Sequence, residues 1–429
     1  MYVFNGMCVF PGGVEPLFFE RGHARPMLDG ESLADLPKER DICRRLSSSV
    51  MAGIYLHIPF CASRCAYCDF YSTTRSDLRD PFVDALCQEL RSRRDYLQGE
   101  PVRTVYLGGG TPSQLTVAQL ERIFTTIEQT YGLGACEEIT LEANPDDLTS
   151  AYVEAVHHHL PVNRLSMGIQ TFHQPTLTLL HRRHTARQAV QAVQTCCRAG
   201  FRHISVDLIY GLPGQTEERW ADDLQQAVAL GVEHLSAYHL TYEPGTALHR
   251  MLSRGELNEV DEELSLRLFG LLIDTLTAAG YTHYEISNFC LPGRHSRHNS
   301  AYWQGIAYLG CGPSAHSYDL VSREWNTADL TAYLHGISTG RRPYEREVLD
   351  LRTRYNERVM TALRTAQGLD LAALRLAFGP ELHDYCLRLA APYIRSARLR
   401  LADDHRLCLT RQGLFVSDSI ISDLMAVDD

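Results

Sequence analysis

The sequence predicts an α/β protein: a partial, TIM-like barrel of six β/α units, followed by a helical, winged-helix-like C-terminal domain. Three observations lead there. Short apolar runs alternate with amphipathic stretches from residue 53 to residue 240, each run gives way to polar or glycine-rich text, and after Asp350 the period turns helical. Strands alternating with helices imply right-handed βαβ crossovers and a parallel sheet, with functional groups gathered where the strands end.

The runs are GIYLHI at 53–58, RTVYLG at 103–108, EITLEA at 138–143, RLSMGI at 164–169, HISVDLIY at 203–210 and HLSAYHL at 234–240. Between them lie PFVDALCQELRSRRDYL, VAQLERIFTTIEQTY, LTSAYVEAVHHH, ARQAVQAVQTCCRAG and TEERWADDLQQAVALG, which read as helices. A longer helix over 261–280 closes the side of the barrel, and its acidic start NEVDEEL suits the helix dipole. The barrel thus takes residues 51–282. Residues 283–345, rich in His, Gly, Tyr and Trp, show no regular period and read as a connecting region. Helices, a hairpin in LRLADDHRLCLT and a last amphipathic helix make up the C-terminal domain, 346–429. The first 50 residues carry no period and read as a poorly structured extension, with Met51 an alternative start.

At 429 residues the chain is two to three ordinary domains long, and 45% hydrophobic against 22% charged is the globular balance. Lys and Arg total 41 against 52 Asp and Glu, a net charge of −11, which speaks against nucleic acid as the main partner. No apolar run reaches the roughly 20 residues of a transmembrane segment, and no signal peptide opens the chain. The expectation is a soluble, cytoplasmic protein.

Most of the 13 cysteines stand singly in apolar stretches, the pattern of free thiols in a reducing compartment. Cys61, Cys65 and Cys68 differ: spaced CxxxCxxC, they occupy the loop after the first strand, among Pro59, Phe60, Tyr67 and Phe70. Three thiolates can wrap one inorganic centre and leave one position open, as in a [4Fe-4S] cluster with an iron free for a ligand. Structural zinc wants four closed ligands and would have to recruit His57 or Asp69, since no second CxxC pair exists. Other clusters read more plainly. His157, His158 and His159 point different ways around a helix and suit solvent, and Cys196 and Cys197 suit core packing.

Read in order, YLHIPFCASRCAYCDF, YLGGGTPSQL, EANPDDL, MGIQTF, DLIYGLPGQT, YEISNF, RHNSAYW and YLGCGPSAHSY resemble the radical S-adenosylmethionine superfamily. Within it they resemble the HemW family of heme chaperones, relatives of oxygen-independent coproporphyrinogen III oxidase. The resemblance runs from about Met51 to the C-terminus. It implies that S-adenosylmethionine chelates the open iron through its amino and carboxylate groups, and that one electron can cleave it to a 5′-deoxyadenosyl radical. By position in the family motifs it implies cofactor contacts from Tyr55, Tyr67, Gly108, Gly109, Gly110, Thr111, Glu142, Gln170, Arg182 and Asp207. Glycines at a strand end suit a backbone that must approach a charged methionine moiety and offer it N–H donors. Taken without the family, Glu142 and Asp207 equally suit turn caps.

Two features separate the chaperone from the oxidase. The oxidase resemblance would require CxxxCxxCxC, and its fourth cysteine position is Phe70 here. HNSAYW at 298–303 matches the HNxxYW motif that the resemblance associates with heme. His298 is then the candidate axial ligand and His295 the fallback, with Asn299 beside it and Tyr302 and Trp303 offering flat apolar surface to a macrocycle. On the six residues alone, a hydrogen-bonded histidine packed by aromatics is the commoner outcome. The expectation is a heme chaperone that binds heme, a [4Fe-4S] cluster and S-adenosylmethionine and hands heme to an acceptor protein. Coproporphyrinogen III oxidation is the alternative. The sequence identifies neither the acceptor, for which a membrane protein stays open, nor whether the chain forms a homodimer.

Overall fold

The computed structural model describes residues 2–4, 7–9, 52–402 and 405–427. Two short strands near the start, β1 (Tyr2–Phe4) and β2 (Met7–Val9), pair antiparallel. The remainder of the first 51 residues, and with it the expectation of a poorly structured extension, lies outside the described residues.

All six apolar runs are strands: β3 (Ala52–Ile58), β4 (Val102–Gly109), β5 (Glu138–Ala143), β6 (Arg164–Gln170), β7 (His203–Tyr210) and β8 (His234–His239). They pair parallel in sequence order, as the βαβ rhythm requires. Ile54, Leu56 and Ile58 are fully buried against the surrounding helices. Burial of each is worth ~1.5–3 kcal/mol. Tyr55 and His57, which point the other way, are buried as well, so polar side chains line the interior of the barrel.

Two helices start where their caps dictate. Thr116 with Gln119, and Thr185 with Gln188, form capping boxes ahead of helices Val117–Tyr131 and Ala186–Ala199. Helix Arg79–Ser92 begins two residues before Pro81, which fits a first turn where no N–H bond is lost. Asp261 caps helix Glu262–Ala278, with Glu262 and Glu263 in its first turn as expected. His157, His158 and His159 are exposed, Cys196 is buried, and Cys197 is exposed rather than in the core. The described cysteines are all free thiols.

Residues 283–345 are not the aperiodic connection expected. They add β9 (Thr282–Glu285) and β10 (Asn288–Cys290) antiparallel beyond β8, and β11 (Tyr308–Cys311) parallel to β3 on the other edge. Strands β12 (His316–Tyr318), β13 (Ser322–Asn326) and β14 (Tyr344–Val348) continue that edge to an open sheet of 12 strands. Elements of three to five residues are too short to show a hydrophobic period. Two helices, Arg297–Trp303 and Leu330–Ser338, lie between them.

A second core, built on Tyr355, Val359, Leu363, Cys386, Leu407 and Ile420, belongs to the C-terminal domain. Helix Leu351–Leu363 leads into a long helix, Leu371–Arg395, interrupted at Gly379 (φ 81°, ψ 172°) before Pro380. The expected hairpin is β16 (Leu399–Leu401) with β17 (Arg406–Leu409), joined by the two-residue β15 (Leu369–Asp370) into a small sheet. The last helix divides into Arg411–Leu414 and Ser417–Leu424. Among the described residues no helix is long and apolar enough to cross a membrane.

Candidate functional site

The cysteine loop follows the C-terminal end of β3 and is tied down on both sides. Ala66 donates its N–H to Leu180 O (3.0 Å) and accepts from Leu248 N (2.8 Å), while Cys61 N donates to Thr73 O (2.9 Å). Two of the three thiols belong to one hydrogen-bonded circuit. Cys61 Sγ meets Thr111 Oγ1 at 3.5 Å, Asn144 Nδ2 donates to Thr111 Oγ1 at 3.3 Å, Arg182 Nη2 donates to Asn144 Oδ1 at 2.7 Å, and Arg182 Nη1 reaches Cys65 Sγ at 3.1 Å. Arg182 Nη2 also donates to Gly168 O at 2.5 Å. Burial pushes the Cys68 thiol up to about 12, with the neighbouring Cys65 adding to it. A thiol so buried stays neutral unless a positive centre stands beside it.

The donor set fits a cluster better than a lone ion. Among the described residues no group of three His, Cys, Asp or Glu is placed to hold a single metal ion. His57 is not offered as a fourth ligand: its Nδ1 meets Tyr55 OH at 3.1 Å and its Nε2 meets Tyr71 O at 2.9 Å. Burial lowers its pKa to about 4, so the ring is neutral, with Nε2–H donating to the carbonyl.

The glycines of β4 do something other than expected. A Cβ on Gly110 would lie 2.8 Å from Ile58 O, and one on Gly109 (φ 105°) 2.6 Å from the His57 ring. Gly110 N donates to Ile58 O and Thr111 N to Phe60 O, both at 2.8 Å. These two amides therefore hold the cysteine loop and are not free donors for a cofactor. Gly108 makes room for Tyr106 and Glu142, on which a Cβ would fall at 2.9 and 3.1 Å.

Other motif residues converge on the same end of the barrel. Gln170 closes β6 in the left-handed region (φ 72°), buried, with its Oε1 lacking a hydrogen-bond partner. A strained non-glycine residue with an unsatisfied buried oxygen is what a ligand contact leaves behind. Burial raises Asp207 to about 6, opposed by the hydroxyls of Ser236 and Ser166. Glu142 accepts from Tyr106 OH at 2.6 Å. Tyr67 is buried with Ala66, Leu180 and Leu212 beneath the loop.

HNSAYW lies at the opposite end. Its helix, Arg297–Trp303, is capped by Glu138, the first residue of β5, which accepts from Arg297 N and His298 N at 2.9 Å each and from Ser296 Oγ at 3.4 Å. His298 enters the barrel from below, buried, with Nδ1 on Thr104 Oγ1 and Nε2 on Tyr302 OH, both at 2.8 Å. Its ring stacks on Tyr106 (5.1 Å between centroids, 24°), and burial alone lowers its pKa to about 3. As placed, His298 is a satisfied interior histidine, and ligation of iron would require Nε2 to leave Tyr302. The fallback His295 is edge-on to Tyr284, 6.0 Å between centroids. Asn299 Oδ1 and Trp303 Nε1 are buried without partners, and the Arg364 guanidinium lies over the Trp303 ring.

A line of contacts thus crosses the barrel, from Glu142 through Tyr106 and His298 to Tyr302. Sequence reasoning missed Asn144, Tyr106, Thr104 and Glu138. Asn144 stands inside the EANPDD text, and the other three are polar residues within apolar runs, which was the signal available.

The chain is similar to known proteins over most of its length. The Radical SAM superfamily model matches residues 55–227 and the HemN C-terminal domain model residues 349–416. The heme chaperone HemW of Mycobacterium tuberculosis is 35% identical over 384 residues, covering 87% of this chain and 94% of that protein. HemW of Bacillus subtilis is 32% identical, covering 77% and 88%. The mitochondrial radical S-adenosyl methionine domain-containing protein 1 of Danio rerio is 29% identical, covering 88% of each. Among solved structures, coproporphyrinogen III oxidase (HemN) of Escherichia coli shares the fold, with a TM-score of 0.77 over 90% of this chain and 92% of that one, at 24% identity. The partial barrel, its three-cysteine loop and the kinship over nearly the whole chain place this protein in the HemW family of the radical S-adenosylmethionine superfamily.

Proposed function

We propose that this chain is a heme chaperone: it binds heme and, at the other end of its barrel, a [4Fe-4S] cluster with S-adenosylmethionine, and passes heme to an acceptor protein. The observation that carries the reading is the kinship with HemW proteins over 87% of the chain. Phe70, where the oxidase motif has a cysteine, supports carriage over porphyrinogen oxidation. The cluster and S-adenosylmethionine follow from the superfamily.

Cys61, Cys65 and Cys68 would hold the cluster, which when bound supplies one iron without a protein ligand as a chelation point for S-adenosylmethionine. Arg182 fixes Cys65, and Asn144 and Thr111 carry that constraint to Cys61. Gln170 and Asp207 present oxygens to the barrel interior, where the cationic sulfonium and ammonium groups of S-adenosylmethionine would favour them. An acceptor protein and dimerisation belong to the same proposal.

An anaerobic heme titration of the reconstituted protein, paired with a coproporphyrinogen III turnover assay on the same sample, tests it. Stoichiometric heme binding without turnover is expected. Turnover without specific heme binding would make the chain an oxidase instead.

A further inference from the structure

Strand β6 is irregular where it reaches the cysteine end of the barrel. Gly168 pairs with Asp207 but Gln170 with the next residue, Leu208, so Ile169 is an extra residue, a β-bulge of the kind that re-aims side chains beside functional sites. His184 Nε2 faces the bulge carbonyl, Ile169 O, at 3.2 Å. Burial lowers that ring's pKa to about 3, so it is neutral and its Nε2–H donates. Gln170 follows at φ 72°, with its carboxamide folded back over Gly168, where a Cβ would lie 2.6 Å from Gln170 Nε2. The same Cβ would lie 3.4 Å from Arg182 Nη2. The carboxamide and the guanidinium that reaches Cys65 therefore share the space over this one glycine.

The turn after Gln170 is held from the helix layer. Asp223, on helix Glu217–Ala229, is buried, and its carboxylate accepts from Phe172 N through Oδ1 and from Thr171 Oγ1 through Oδ2, both at 2.7 Å. Thr171 Oγ1 also accepts from His173 N at 3.0 Å. Among the described residues Asp223 has no ion pair, and its hydrogen bonds go to the two residues that follow Gln170. A buried carboxylate without a cation is costly, and packing of the helix alone would be served by an apolar side chain. What the carboxylate does hold is a turn that begins with a non-glycine residue in the left-handed region, a conformation that persists only where its surroundings over-determine it.

We propose that Asp223 is a positioning residue of the S-adenosylmethionine site: by fixing Thr171 and Phe172 it holds Gln170 in its strained conformation and so aims the carboxamide at the ligand. The inference rests on the reading of this end of the barrel as the cofactor site. Gln170 Oε1, buried and without a hydrogen-bond partner, is the group so presented. Asp223 acts through it and does not itself touch the cofactor.

The test is equilibrium binding of S-adenosylmethionine to the cluster-loaded protein, comparing the native chain with Asp223→Ala, Gln170→Ala and the double variant. Iron and sulfide content and melting temperature establish that each is folded and loaded. At full cluster content Asp223→Ala should bind about tenfold more weakly. The double variant should bind no more weakly than Gln170→Ala, because a residue that acts through another adds nothing once the other is gone. Asp223→Asn should recover most of the affinity, since its Oδ1 can accept from Phe172 N while its Nδ2 donates to Thr171 Oγ1. Thr171→Val removes one of the two bonds and repeats the comparison if the alanine variant does not fold. Additive losses in the double variant, or native affinity in Asp223→Ala, would overturn the proposal. If the native chain binds no S-adenosylmethionine, the cofactor reading itself falls.

Discussion

The two ends of the barrel are built on opposite principles. At the C-terminal end, where β3 to β6 finish, groups are held but left incomplete: the three thiols are only half-buried, and Gln170 is strained with an oxygen unsatisfied. At the N-terminal end, the histidine of HNSAYW is inserted and closed off, with both His298 nitrogens bonded and the helix amides capped by Glu138, while Asn299 Oδ1 and Trp303 Nε1 are buried without partners. Incompleteness marks where a ligand completes a structure, and completeness marks what the structure needs for itself. By that criterion His298 serves the structure, and the incomplete groups of HNSAYW are Asn299 Oδ1 and Trp303 Nε1.

The sharpest break of this comparison is loss of the incomplete end alone. Cys61→Ala, Cys65→Ala and Cys68→Ala should each abolish the cluster, while Cys87→Ala, a buried thiol remote from the loop, should keep it. Iron and sulfide content after anaerobic reconstitution reads this, and a full cluster in any of the three rejects the ligand assignment. Next in size is Arg182→Met, which removes the bonds to Cys65, Asn144 and Gly168 together. Charge-assisted bonds contribute about 1.5–3 kcal/mol, so S-adenosylmethionine affinity should fall at least about tenfold. Equilibrium binding would settle it, and unchanged affinity would remove Arg182 from the site.

How much of this was legible in the sequence follows the same division. Each of the six parallel strands matched its apolar run to within a residue, because strands buried on both faces write continuous apolar text. The cysteine loop was legible because its spacing is itself the chemistry. The partners were not. Thr104, Tyr106 and Glu138 look like ordinary strand residues, and only the folded sheet brings Thr104 and Glu138 onto His298 and Tyr106 onto Glu142. The glycines of GGGTP were read as room for a cofactor, whereas Gly109 and Gly110 make room for His57 and the loop backbone. Sequence shows that a Cβ is unwanted, not which neighbour objects.

A smaller effect sharpens the closed end. Burial lowers His298 to about 3 and His57 and His316 to about 4, against an ordinary 6.5. The unfolded chain takes up protons that these rings refuse, so their contribution is full above about pH 6.5 and is lost as pH falls toward 4 and 3. Asp207 and Asp223, both raised by burial to about 6, work in the other sense, binding protons first in the folded state and adding stability as pH drops below 6. The histidines outnumber them, so net stability should fall on acidification. His298→Gln should cost about 2 kcal/mol at neutral pH and flatten the slope of melting temperature against pH. Parallel slopes for the two proteins would show that His298 is not the buried neutral ring described.

The smallest effect isolates the cap. Glu138→Gln leaves the side chain's shape but offers one acceptor oxygen where the carboxylate takes Arg297 N, His298 N and Ser296 Oγ. Loss of a cap of this kind costs about 1 kcal/mol. In a chain of this size that is a shift of a degree or two in melting temperature, roughly. Because Glu138 stands at the start of β5 and Glu142 near its end, the substitution should loosen the HNSAYW helix and leave S-adenosylmethionine affinity unmoved. Faster amide exchange confined to residues 297–303 would show the two ends to be energetically separate. An equal loss of cofactor affinity would show instead that the contacts from Glu142 through Tyr106 and His298 couple them, and the barrel would then have to be treated as one site with two mouths.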